Sequence, residues 1–162
     1  MHRRLIGPLS VGALLFAGLL VAGCGSSSSS TTTTTTAAIS KAEFVAKGNA
    51  ICAAGTKKEE AGFMAFAKQH GISEKEEPTK AQQAELVETV FAPNIQSQID
   101  SVKALGAPSG EEQQVTSALE TAQETLNKVK AKPELAFSEQ NPFKATGEQL
   151  HALGLTQCAK EG

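Results

Sequence analysis

The side chains that suit metal or acid–base chemistry are few in this 162-residue chain, and their spacing limits what they can build. Glu148 and His151 form an E-x-x-H pair, whose three-residue spacing places both side chains on one turn of a helix. Di-iron helical bundles use two such pairs, but His70 has Ala67 three residues before it, so a second pair cannot form. We therefore interpret Glu148 and His151 as an exposed contact, and we predict no metal site and no cofactor.

Two pairs of glutamates also stand one helical turn apart: Glu85 with Glu88, and Glu120 with Glu124. Paired carboxylates act as acid and base when a cleft shifts the pKa of one of them. The surrounding sequence is rich in lysine and glutamine, as on a solvated helix surface, and it contains no nucleophile elbow, phosphate loop or CxxCH motif. The sequence therefore predicts a protein that is not an enzyme and has no catalytic residues.

Three phenylalanines are the candidates for binding a small apolar ligand between helices: Phe63, Phe66 and Phe91. Pro93 lies two residues after the last of them, and a proline-kinked helix can open a bundle beside such side chains. The alternative is that these phenylalanines fill an ordinary core. We interpret Met64, which lies between two of them in sequence, as core packing rather than as a copper ligand.

Residues 1–23 have the layout of a secretory signal peptide. The basic start, MHRR, precedes a run without charged residues from position 5 to position 21. The most apolar part, residues 13–21, is shorter than the roughly 20 residues that a membrane span needs. A retained anchor helix is the alternative.

The end of this run, LVAGC, resembles the lipobox of bacterial lipoproteins. Leu20 and Val21 match its aliphatic positions, Ala22 and Gly23 its small positions, and Cys24 its modified cysteine. The resemblance implies cleavage before Cys24 and acylation of that residue with a diacylglyceryl group and palmitate. Two or more acyl chains hold a protein stably on a membrane, at about 0.8 kcal/mol for each buried methylene. We therefore expect a protein anchored at the outer face of the cell membrane through Cys24.

The residues after the cysteine, up to position 38, read GSSSSSTTTTTTAA. So polar and repetitive a segment cannot bury enough surface to offset the entropy of ordering it. It is typical of a flexible tether, which would reach about 50 Å when fully stretched. Attachment of O-linked sugars to its hydroxyl groups is an alternative role.

Residues 39–162 are the size of one folded domain. They contain thirteen lysines and no arginine against sixteen glutamates and one aspartate, a net charge of −4. Nucleic acid is not an expected partner, because the segment lacks both the excess positive charge and the arginine that phosphate recognition uses.

Helix signals divide this domain into four predicted helices. Ser40 with Glu43, and Thr79 with Gln82, have capping-box spacing. The first helix should run from Ser40 to a stop at Gly71, with a break near its internal glycines left open. The others should cover residues 81–105, kinked at a proline, then 111–131, and then 142–153 with Asn141 as N-cap. No segment alternates with a period of two, so we predict an all-α domain packed as a small four-helix bundle.

Cys52 and Cys158 are the cysteines that remain after Cys24. An exported protein enters an oxidising compartment, where two cysteines in a small domain usually form a disulfide. The bond would join the first helix to the C-terminal end of the domain. A redox-active pair is not favoured, because the two cysteines are far apart in sequence and no CxxC motif is present.

The segments ISKAEFVAKGNAIC and LGLTQC resemble small uncharacterised secreted or lipid-anchored helical proteins of actinobacteria. The matching positions are 41–44, 49–52 and 154–158. The resemblance implies the helical fold and the disulfide, and it implies no activity. We expect a lipid-anchored interaction module that binds an envelope protein or a cell-wall component. The alternative is a carrier or sensor of a small apolar ligand.

Overall fold

The structure is a computed structural model that describes residues 38–73 and 76–161. Every regular element in these ranges is helical, which confirms the all-α prediction. The elements are α1 (Lys41–His70), α2 (Lys80–Leu86), a π turn (Val87–Phe91), α3 (Ala92–Ala104), α4 (Glu112–Ala131), a 3-10 helix (Pro133–Phe137), α5 (Lys144–Ala152) and a terminal 3-10 helix (Cys158–Glu161). The predicted signal peptide, Cys24 and all but the last residue of the predicted tether lie outside the described residues.

Helix α1 begins and ends where its sequence signals predict. The Ser40 hydroxyl accepts a hydrogen bond from the Glu43 backbone N–H at 3.2 Å, and the Glu43 carboxylate forms an ion pair with Lys47 at 2.7 Å. Gly71 ends the helix in the left-handed conformation, with φ of 65°. Helix α1 is continuous through its internal glycines, so the break considered from sequence does not occur. A Cβ at Gly48 would overlap the side chain of a leucine packed against α1, so close packing accounts for a glycine within the helix.

The second predicted helix is one continuous run of α2, the π turn and α3. Thr79 and Gln82 form the predicted capping box at its start. The proline distortion takes the form of a π turn, in which the Ala92 backbone N–H donates to the Val87 carbonyl five residues earlier. Pro93 has no N–H to donate, and its ring would crowd the carbonyl four residues before it, so the wider turn occurs where α-helical bonding would fail.

Helix α4 starts within one residue of its predicted position, whereas α5 starts two residues later than predicted. Asn141 is not the N-cap of α5, because its side-chain oxygen accepts a bond from the Phe143 backbone N–H at 2.8 Å and so closes a local turn. The helix begins at Lys144, after that turn. Gly154 follows α5 with φ of 82°, as a residue that ends a helix commonly does.

Helix α3 is central, since it packs against both α1 and α4, and α5 packs on α4. The buried apolar side chains form two clusters. One cluster joins α1 to the C-terminal segment and consists of Phe44, Cys52, Val102, Val115, Ala118, Leu153, Leu155 and Cys158. The other joins α3, α4 and the start of α5 and consists of Val87, Ala92, Ile95, Ile99, Ala122, Leu126, Val129 and Phe143.

A disulfide between Cys52 and Cys158 closes the fold, as predicted. The Cα atoms of the two residues are 5.0 Å apart, within the usual range for a disulfide. Asn49 supports the same junction: its side-chain nitrogen donates to the Gly154 carbonyl at 3.0 Å, and its oxygen accepts from the Gln157 backbone N–H at 2.7 Å. All the described residues belong to one compact unit, so residues 38–162 contain both clusters and the bond that joins them.

Candidate functional site

The three phenylalanines proposed from sequence do not form one pocket. Phe63 and Phe91 line the same surface groove, of about 190 Å³, between α1 and the π turn. Phe66 instead points inward, is 7% exposed, and stacks on His70 with ring centroids 4.1 Å apart. Two of the candidates therefore share a surface site, and the third belongs to the interior.

Met64 is not a core residue, contrary to its sequence interpretation, because 65% of its surface is exposed. A helix turns about 100° per residue, so Met64 lies about 160° around α1 from Phe66, while Phe63 lies only about 60° from Phe66. Phe63 is consequently at the boundary of the buried face, 46% exposed, and Met64 is beyond it. Spacing in sequence was a poor guide here, since neighbours along a helix point to different sides.

The exposed and half-buried apolar side chains in this region form one surface, which we call the apolar patch. It consists of Phe63, Met64, Val90, Phe91 and Phe137. Phe63 and Glu59 line both the groove and a broader neighbouring depression that also includes Met64, so the two hollows adjoin. Phe137, 37% exposed, comes from the 3-10 helix that packs on α2 and α4.

Two close approaches position the groove. A Cβ at Gly62 would overlap Val90, so this glycine allows α1 to lie directly against the π turn. One turn away, the Asn94 side-chain nitrogen donates to the Gly55 carbonyl at 3.2 Å and to the Glu59 carboxylate at 3.0 Å. Asn94 is buried, so these bonds fix how α3 and the adjoining π turn sit on α1.

A second hollow, partly open to the surface, lies where the two core clusters meet. It is an apolar cavity of about 60 Å³ between α3, α4 and α5, and the disulfide forms part of its wall. Thr146 lines it, is 4% exposed, and its buried hydroxyl has no hydrogen-bond partner among the described residues. None of the three candidate phenylalanines lines this cavity.

We expect Thr146→Val to raise the free energy of unfolding by about 1 kcal/mol, because valine keeps the shape and removes a buried hydroxyl that has no partner. Urea unfolding of residues 38–162 measures the change. Thr121→Val is the matched control, since the Thr121 hydroxyl donates to the Ser117 carbonyl at 2.9 Å and its loss should bring no gain. A loss of stability in Thr146→Val would contradict the prediction and would mean that something in the cavity binds the hydroxyl.

The motif residues that resemble other helical proteins have structural roles in this domain. Phe44 is fully buried, and the Lys41 ammonium donates to the Leu153 carbonyl at 2.9 Å and pairs with Glu111. Asn49 and the disulfide hold the segment that follows α5 against α1. These motifs fix the C-terminal end of the chain onto α1, and they do not line the apolar patch.

The residues that suit acid–base or metal chemistry remain apart. Glu148 and His151 are exposed, as are all four glutamates of the two pairs. Within residues 38–73 and 76–161, no three His, Cys, Asp or Glu side chains are grouped so that they could hold a metal ion. Hydrogen bonds from the Ser73 hydroxyl, and secondarily from the Ser73 backbone N–H, hold the pKa of Glu76 below its usual value, which stabilises an exposed turn.

Across the described part of the chain, no helix combines the length and the apolar character that crossing a membrane requires. Comparison with family models, with curated proteins and with solved structures finds no match.

Proposed function

We propose that this protein is a lipid-anchored, extracytoplasmic interaction module that is not an enzyme and that binds an envelope partner through the apolar patch. The observation that carries the proposal is the contiguous exposure of Phe63, Met64 and Phe137 on one surface. Scattered exposed apolar residues are ordinary, but large apolar side chains grouped around a groove are typical of binding sites. Aromatic residues and methionine are also enriched at protein interfaces.

The position of the patch along α1 supports the proposal. Met64 follows the start of α1 by 23 residues, which corresponds to about 34 Å along the helix axis. The tether proposed from sequence joins the domain just before α1. The patch therefore lies towards the opposite end of α1 from the residue at which the proposed tether would enter the domain.

The packing of the patch also supports a role in binding rather than in stability. The π turn brings Val90 and Phe91 to the groove, and π turns within helices frequently occur at functional sites. The buried Asn94 side chain bonds α3 to α1 and so fixes the π turn, which directly precedes α3, beside the groove. A groove held in this way is formed before a partner arrives, which lowers the entropic cost of binding.

Site-specific photocross-linking in cells that make the full chain tests this function. A photoreactive residue at position 64 is expected to give one discrete cross-linked species in the membrane fraction. The same residue at position 120, an exposed site on α4 outside the patch, is the control and should give none. In the Cys24→Ser variant we expect the protein that is not cross-linked to leave the membrane fraction. Identical patterns from positions 64 and 120 would contradict the assignment of the patch.

A second candidate function is the binding of a small neutral molecule in the cavity between α3, α4 and α5. The observation that favours it is that Thr146, whose buried hydroxyl has no hydrogen-bond partner among the described residues, lines this mostly apolar space. At about 60 Å³ the cavity is smaller than the roughly 150 Å³ cavities that admit benzene, so its ligand would have only a few heavy atoms. Native mass spectrometry tests this: a retained small mass that Thr146→Val abolishes would support it, and a bare chain would contradict it.

A further inference from the structure

The charged side chains that line the apolar patch are of one sign. Among the residues that the structure describes, the only charged ones lining its two hollows are Glu59 and Glu60. Glu59 is held in place by the Asn94 side chain, whereas Glu60 is exposed and forms no ion pair within the described ranges. Lys57, one turn before Glu60 on α1, is exposed but lines neither hollow. The patch is therefore an apolar surface with an acidic edge.

This charge pattern argues against a second copy of the same chain as the occupant. A two-fold symmetric dimer places the same patch on both sides of the interface. Such an interface would bring together four carboxylates, Glu59 and Glu60 from each copy, without a cation among the described lining residues to pair with them, and this concentration of like charge is destabilising. The net charge of −4 over residues 39–162 adds to this repulsion.

We propose, on the basis of the function proposed above, that the partner presents an amphipathic helix with lysine or arginine beside its apolar side chains. The groove formed by Leu86, Val90, Phe91 and Phe137 offers an apolar wall for one anchoring side chain of such a helix. Apolar anchors that recur at helical spacing are how helices bind in grooves. Glu59 and Glu60 then meet the cations that flank the anchor, and Glu60 can do so without breaking an existing ion pair.

The test measures binding of three labelled helical peptides, of about 18 residues each, to the full chain in phosphatidylcholine nanodiscs. The peptides share one leucine and phenylalanine stripe and differ only in carrying lysine, glutamine or glutamate at the remaining positions. By fluorescence anisotropy, we expect the lysine peptide to bind about tenfold more tightly than the glutamine peptide, and the glutamate peptide to bind most weakly. The difference should shrink in high salt, because charges at an exposed edge are screened.

Charge reversal at one position locates the effect. Glu60→Lys is expected to weaken binding of the lysine peptide about tenfold and to strengthen binding of the glutamate peptide. Glu120→Lys, the same change at an exposed position on α4, is the matched control and should alter neither. Equal effects of the two substitutions would overturn the inference, since they would reveal general attraction between a basic peptide and an acidic protein.

The outcomes also separate this inference from the proposed function. Equal binding of all three peptides, lost in Met64→Lys, would overturn the basic character of the partner and leave the apolar patch as a docking surface. Failure of every peptide to bind, together with identical cross-linking from positions 64 and 120, would overturn both.

Discussion

Replacing Cys52 and Cys158 together with alanine is expected to lower the free energy of unfolding of residues 38–162 by about 2–5 kcal/mol. The disulfide spans 106 positions in sequence, and in the chain-entropy account a loop of about this length gives close to the largest effect. A domain of this size has a total stability of about 5–15 kcal/mol, so the variant should be close to unfolding at elevated temperature. Urea unfolding followed by circular dichroism measures the loss.

Reduction of the unaltered fragment provides the control for this experiment. With reductant, its unfolding midpoint should fall close to that of the double variant, while the variant itself should not respond. Mass spectrometry of the untreated fragment should give a mass two hydrogens below that of the reduced chain. The fully reduced mass, or a midpoint indifferent to reductant, would show that the bond does not hold the fold.

Leu155→Ala is expected to cost about 2–5 kcal/mol of unfolding free energy, the usual range for removing a fully buried leucine. Leu155 lies in the C-terminal segment and packs on α1 where Gly48 leaves room for it, so truncation leaves a cavity between the two. The same urea experiment measures the cost.

Met64→Ala is the control for this prediction, because it also truncates a large apolar side chain but at a position that is 65% exposed. We expect its effect on stability to stay within about 0.5 kcal/mol. Comparable losses in the two variants would contradict the description of Met64 as a surface residue and would remove the main reason for treating the apolar patch as a binding site.

The parts of this fold that follow from sequence are those with local causes. Ser40, Thr79 and Gly71 mark helix ends through bonds or backbone conformations that involve their near neighbours, and all three positions hold in the structure. The disulfide was also predictable, because Cys52 and Cys158 are the two cysteines of the domain and the oxidising compartment expected for an exported chain favours a bond between them.

The parts that sequence did not reveal depend on contacts between distant segments. Pro93 indicated where a helix would be distorted, but the π turn also involves the fit of Val90 against Gly62, which no local pattern specifies. Asn49 caps no helix, and its role appears only once the C-terminal segment lies against α1.

The candidate site was predictable only in part, because it also depends on contacts between segments that are distant in sequence. Phe63 and Phe91 are apolar side chains near a predicted helix distortion, and they share a groove. Phe66 is only three residues from Phe63, yet the two differ in burial because α3 and the π turn cover one side of α1 only. Phe137 has no sequence signal that places it at the patch, since the 3-10 helix that carries it is marked only by its first proline.

Met64 itself offers the most direct test of the apolar patch as the binding surface. The sequence contains two methionines, Met1 and Met64, so a ¹³C-methyl methionine label places one reporter in the patch, beside Phe63. We expect the Met64 methyl resonance of the full chain in nanodiscs to shift and saturate as the lysine peptide is added, with a weaker response to the glutamate peptide. A resonance that stays unchanged while anisotropy shows the lysine peptide bound would place binding elsewhere and contradict the central claim.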